Sequence, residues 1–96
     1  AYVFHTMEAM IRSGVEMGMP PEMAQRLVLQ TVFGAAQLAM DSDLDPTALR
    51  EAVTSRGGTT DAAISYLKEH NYTHLVVEAI LAAMDRSKDL GREYPS

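Results

Sequence analysis

The stretch Pro21-Glu22-Met23-Ala24-Gln25-Arg26-Leu27-Val28-Leu29-Gln30-Thr31-Val32-Phe33-Gly34-Ala35-Ala36-Gln37-Leu38-Ala39-Met40 decides the fold. Pro21 suits the first turn of a helix, where a missing N–H costs nothing, and Glu22 suits the positive end of the helix dipole. Beyond that turn Leu27, Val28, Leu29, Val32, Phe33, Ala35, Ala36, Leu38, Ala39 and Met40 surround the axis instead of lining one stripe. A helix apolar all round must be covered all round. At ~1.5 Å per residue it is a rod of about 30 Å, which short helices in a chain of 96 residues can hardly enclose. A second copy of the chain is the economical cover.

Before this helix, Phe4, Met7, Met10, Ile11 and Val15 recur at three and four from Tyr2 to Met17, and Gly18 with Pro20-Pro21 provides a stop. After it, Asp41-Ser42-Asp43-Leu44-Asp45-Pro46 reads as a turn in which Asp45 caps, and Pro46 opens, a short third helix to about Val53. Thr54-Ser55-Arg56-Gly57-Gly58 breaks that helix. Thr59 or Thr60 then caps a fourth, with Ala63, Ile64 and Leu67 facing inward until His70-Asn71. Thr73 caps a fifth, in which Leu75, Val76, Val77, Ile80, Leu81 and Met84 again occupy more than one face. There is no alternation of β-branched residues and no internal repeat. The expected architecture is therefore all-α: a five-helix domain over residues 1–90, interlocked with a second copy as a dimer, and a loose C-terminal tail over 91–96.

Composition narrows the function. Hydrophobic residues make up 47% and charged residues 22%, the balance of a folded soluble domain. With no cysteine, thiol catalysis, disulfides and thiolate metal sites are excluded, and the composition fits a reducing cytoplasm. The net charge is −5, and Arg12, Arg26, Arg50, Arg56, Lys68, Arg86, Lys88 and Arg92 are scattered. That argues against nucleic acid as a partner. Polar residues interrupt every apolar stretch before the ~18 residues of a membrane span. The chain opens on Ala1-Tyr2-Val3-Phe4 without a methionine and already inside an apolar pattern, which reads as a fragment or processed product.

The chemistry-bearing segment is Val53-Thr54-Ser55-Arg56-Gly57-Gly58-Thr59-Thr60, a polar loop with paired glycines that runs into a helix N-terminus. Glycines bare the backbone N–H groups, and the helix end adds a positive dipole and unpaired donors. Such a loop can hold a carboxylate or phosphate, though Gly-Gly-Thr also writes an ordinary helix-to-helix turn.

Tyr2-Val3-Phe4, Glu8-Ala9, Gly14-Val15, Gly18-Met19-Pro20, Gln30-Thr31-Val32-Phe33-Gly34-Ala35-Ala36, Val53-Thr54-Ser55, Gly57-Gly58-Thr59-Thr60 and Arg86-Ser87-Lys88 resemble, in order and spacing, the C-terminal domain of pyrroline-5-carboxylate reductase over roughly residues 1–90. The resemblance implies an oxidoreductase of proline biosynthesis that reduces 1-pyrroline-5-carboxylate to L-proline. It also implies NADPH or NADH held by a preceding Rossmann domain that this chain does not contain, a homodimer or higher homo-oligomer, and no activity for this chain alone. Ser55, Gly58 and Thr59 would offer donors to the substrate carboxylate. The Thr60 hydroxyl would contact the ring nitrogen and is the catalytic candidate. Asp43 stands near a position where the family often has glutamate, one methylene longer, and is a further substrate-binding candidate. Arg56 stands where the family usually has proline, leaving a less rigid loop with an added cation.

Other readings are blander or belong to another class. Asp41, Asp43 and Asp45 alternate like the start of a calcium loop, but Pro46 and Ala52 stand where it needs glycine and glutamate. His5, His70 and His74 have no ligand spacing that pairs them. Met7, Met10, Met23 and Met40 lie on apolar faces, as packing residues do. Gly14 and Gly34 each cost a helix about 1 kcal/mol relative to alanine, which a close helix approach would explain, with Gly34-Ala35-Ala36 as the expected crossing. A helical module that has kept the fold and lost the chemistry, or a reductase of another small imine or keto acid, are the alternatives.

Overall fold

The computed structural model describes residues 1–93. Five helices follow in order: α1 (Tyr2–Glu16), α2 (Pro21–Asp41), α3 (Pro46–Ala52), α4 (Thr59–Glu69) and α5 (Tyr72–Glu93), with no strand among the described residues. The chain divides into two compact units, Ala1–Arg50 and a second that begins at Glu51.

In the first unit α1 packs on α2. Gly18, at φ 102°, ends α1 in the left-handed region, where only glycine sits without strain. Its N–H donates to the Val15 carbonyl and that of Met19 to the Gly14 carbonyl, both at 3.0 Å, which satisfies the last carbonyls of the helix. The chain then reverses through Pro20 into α2, whose first turn carries Pro21 and Glu22. The seam is narrow. Gly14, Ala24 and Val28 are buried, and Met7, Ile11, Met19 and Val32 are half-buried. Among the described residues, Ala24 and Val28 are the only buried hydrophobic ones. Asp45 caps α3 as expected: its Oδ1 accepts the Ala48 N–H at 2.8 Å.

In the second unit α4 packs on α5, and no described residue is fully buried. Ile64 is half-buried, whereas Ala63 and Leu67, expected to face inward, are exposed. Asn71 joins the two helices at φ 60°. Its N–H closes α4 on the Lys68 carbonyl, and its own carbonyl accepts the Leu75 N–H. The fifth helix therefore begins at Tyr72, and Thr73 lies inside it instead of capping it. It also continues through Gly91 to Glu93, where a tail from residue 91 was expected. An exposed ion pair between Arg92 and Asp89 at 3.3 Å spans that last turn; residues 94–96 lie outside the described residues.

Large apolar side chains remain on the surface of both long helices. On α2, Phe33 is 64% and Met40 85% exposed, and Leu27 and Leu38 are exposed too; on α5, Leu75 is 62% exposed, and Val77, Ile80 and Leu81 are exposed. No helix among the described residues is long and apolar enough to cross a membrane.

Candidate functional site

The loop between α3 and α4 is built by two hydrogen bonds that use its two glycines differently. The Gly58 N–H donates to the Ser55 carbonyl at 2.9 Å, closing the four-residue turn Ser55-Arg56-Gly57-Gly58. Gly57, third in that turn, has φ 76°, and Arg56 before it has negative φ, so the turn is type II. A Cβ on Gly58 would lie 3.1 Å from the Ser55 carbonyl oxygen: the turn is this tight because Gly58 has no side chain.

The second bond comes from the helix. The Gly57 N–H donates to Oδ2 of Asp61 at 2.9 Å. Gly58, with extended backbone, is the N-cap of α4, and no side chain caps the helix there, so neither Thr59 nor Thr60 caps it as expected; they are its first two residues. Asp61 sits at the third helical position and reaches back, as the acid of a capping box does. Sequence reasoning missed Asp61. Its signal was available in the spacing Gly58-x-x-Asp61.

These bonds decide which donors face outward. The N–H groups of Gly57 and Gly58 are already engaged within the loop. Those of Thr59 and Thr60, in the first turn of α4, have no earlier helical carbonyl to meet. The hydroxyls of Ser55, Thr59 and Thr60 stand on exposed residues of the same short segment, and the positive end of α4 lies under them. The structure thus brings Ser55, Gly58, Thr59 and Thr60 together in one short segment at the N-terminus of α4, with Arg56 exposed on the same turn, and spends the Gly58 N–H, an expected donor, on the Ser55 carbonyl.

Residues 1–90 match the protein family described as pyrroline-5-carboxylate reductase dimerisation. The chain belongs to that family. Among curated relatives, pyrroline-5-carboxylate reductase of Pseudomonas aeruginosa is 44% identical over 93 residues, 97% of this chain and 34% of the relative. The Arabidopsis thaliana enzyme of the same name is 38% identical over 92 residues, 96% of this chain and 33% of the relative. Among solved structures, pyrroline carboxylate reductase of Plasmodium falciparum with NADP bound superposes with a TM-score of 0.91 at 32% identity, over 94% of this chain and 34% of that one. The Coxiella burnetii pyrroline-5-carboxylate reductase gives 0.88 at 40% identity, over 93% of this chain and 33% of that one. The chain therefore spans about a third of the length of the reductases it matches.

For this member of the reductase dimerisation family, the remaining candidate, Asp43, lies in the first unit, in the turn after α2. There the Leu44 N–H donates to Ser42 Oγ at 3.0 Å, and the Asp43 side chain is exposed. Among the described residues no three His, Cys, Asp or Glu side chains are grouped to hold a metal ion. His5 pairs with Glu8 at 3.1 Å, and His70 stacks on Tyr66, ring centroids 4.1 Å apart. The glycine pair follows a helix, α3, whereas the glycine-rich turn of a Rossmann nucleotide-binding fold follows a strand.

Proposed function

We propose that this chain is the dimerisation and substrate-binding part of an oxidoreductase that reduces 1-pyrroline-5-carboxylate to L-proline, the last step of proline biosynthesis, in the cytoplasm. The observation that carries this reading is the loop of residues 53–60: in a chain of this family, it ends in a bare helix N-terminus with two threonines. The substrate is a five-membered cyclic imine with a carboxylate. Reduction converts C=N to CH–NH, taking a hydride at carbon and a proton at nitrogen. NADPH or NADH supplies the hydride, held in this reading by a separate nucleotide-binding domain. The work left to these residues is holding and orienting the imine.

The Thr59 and Thr60 N–H groups and the Ser55 and Thr59 hydroxyls would take the carboxylate, with Gly58 keeping the backbone bare beneath it. The Thr60 hydroxyl would then address the ring nitrogen, orienting it and relaying its proton. The resemblance makes Asp43 a further substrate-binding candidate. The apolar faces of α2 and α5 support a homodimer or higher homo-oligomer, since each large apolar side chain gains about 1.5–3 kcal/mol on full burial.

The test is oxidation of NADPH and NADH with pyrroline-5-carboxylate by a complete reductase in which this chain is joined to the remaining two thirds of the Pseudomonas relative. Turnover by that polypeptide, with none by this chain alone, supports the proposal. A folded, dimeric fusion that leaves the substrate unreduced refutes it.

A further inference from the structure

The same type II turn holds a residue the reading above does not use, and the inference from it rests on that reading. We propose that Asp61 is a positioning residue for the substrate site, fixing the orientation of the Arg56–Gly57 peptide and so keeping the Arg56 carbonyl away from the amides that receive the carboxylate.

Types I and II differ by a rotation of about 180° of the central peptide, which exchanges the directions of its N–H and C=O. Here that peptide is Arg56–Gly57, and with glycine at the third position both orientations are open to it. The Ser55–Gly58 hydrogen bond closes either turn, so it does not choose between them. Asp61 does. Its carboxylate sits on the α4 side and accepts the N–H of this very peptide at 2.9 Å. A flip would break that bond and bring the Arg56 carbonyl oxygen toward the Asp61 carboxylate and the first turn of α4. Two negative oxygens would then face one another, and one would point into the ring of donors offered by Thr59 and Thr60. A carboxylate ligand would meet a carbonyl where it needs an N–H.

Arg56 occupies the second position of the turn, where types I and II share a negative φ, so residue 56 does not choose between them and the peptide orientation depends on the Asp61 bond. Asp61 is half-buried beside the loop, where a bond to a charged acceptor is worth more than a neutral one.

The experiment measures binding of free L-proline by calorimetry to the complete reductase carrying this chain, for wild type, Asp61→Ala, Asp61→Asn, Gly57→Ala and the double variant Asp61→Ala/Gly57→Ala. Asp61→Ala should weaken binding about tenfold, the size expected for one hydrogen bond to a charged group. Asp61→Asn, which retains an acceptor oxygen, should bind as wild type does. Gly57→Ala, which disfavours the positive φ of type II and so favours the flipped peptide, should weaken binding as Asp61→Ala does, and the double variant should be no weaker than either. Unchanged affinity in Asp61→Ala overturns the proposal while leaving the functional reading intact. So does a Gly57→Ala variant that binds as wild type does, or losses that add in the double variant, either of which would assign Asp61 to helix stability alone. Wild type that does not bind L-proline defeats the functional reading, and the role of Asp61 with it.

Discussion

Gly14 of α1 and Ala24 of α2 meet so closely that a Cβ on Gly14 would stand 3.0 Å from the Ala24 Cβ. Ala24 is 1% exposed and lies in the only fully buried seam of the first unit, so it has little room to yield. Gly14→Ala gains helix propensity of about 1 kcal/mol but loses more to overpacking, which costs about 1–3 kcal/mol in a tight core. The net expectation is a destabilised protein, and Gly14→Leu should be worse. Chemical unfolding of the two variants beside wild type checks this. A Gly14→Ala variant more stable than wild type would show that α1 shifts outward freely.

Gly34 presents the opposite case. Nothing lies within 4 Å of where its Cβ would be, although Gly34-Ala35-Ala36 was the expected crossing between helices. Its smooth surface, flanked by exposed Phe33 and Leu38, therefore answers to no contact within one chain. Gly34→Leu should leave helix content unchanged and block the dimer, because an added isobutyl group holds apart two backbones that would otherwise touch. Light scattering at a series of concentrations reads this directly. An intact Gly34→Leu dimer would place the interface elsewhere.

The cap on α3 provides a control in the turn that holds Asp43. Asp45 accepts the Ala48 N–H at 2.8 Å, and a helix of seven residues has few other bonds to spare. Asp45→Ala should cost about 0.5–2 kcal/mol, whereas Asp43→Ala, on an exposed side chain, should be near neutral in stability. Thermal melts separate the two. If Asp43→Ala unfolds the protein as readily as Asp45→Ala, its proposed role at the substrate is replaced by a structural one.

Helix starts were legible because proline and aspartate act locally: Pro21, Pro46 and Asp45 need only their own first turns. Stops set by a left-handed residue, Gly18 and the His70-Asn71 pair, were legible for the same reason. Missed features depend on two segments at once. Thr73 has the composition of a cap, but the Asn71 carbonyl already accepts the Leu75 N–H, so one left-handed residue ends α4 and starts α5 before Thr73 can act. Gly91 has the composition of a stop, yet its penalty of about 1 kcal/mol does not interrupt a helix propagating from Tyr72, since each further residue adds its own hydrogen bond. At the site, the polar glycine loop and the helix start after it were readable, but which N–H groups the loop consumes was not. That depends on Asp61 reaching back four residues to Gly57, a side-chain choice that composition leaves open. Gly14 and Gly34 were indistinguishable as helical glycines, and only the placement of α2 against α1 separates them.

Thr60 is where the proposed chemistry is most exposed to test. It occupies the second position of α4, after the Gly58 cap, and its side chain is exposed, so its hydroxyl supports neither a core nor a cap. Removing it should cost little stability. If the hydroxyl orients the ring nitrogen and passes it a proton, its loss removes an interaction used in the reaction step, for which a positioned proton donor contributes roughly 10²–10⁴-fold. Thr60→Ala in the complete reductase should therefore lower kcat by about 10²-fold or more, with melting temperature unchanged. Thr60→Ser, which keeps the hydroxyl, should recover most of that loss. Steady-state kinetics with varied pyrroline-5-carboxylate, run beside melts of the same preparations, provides the comparison. Unchanged kcat in Thr60→Ala would return Thr60 to the role of an ordinary helix residue.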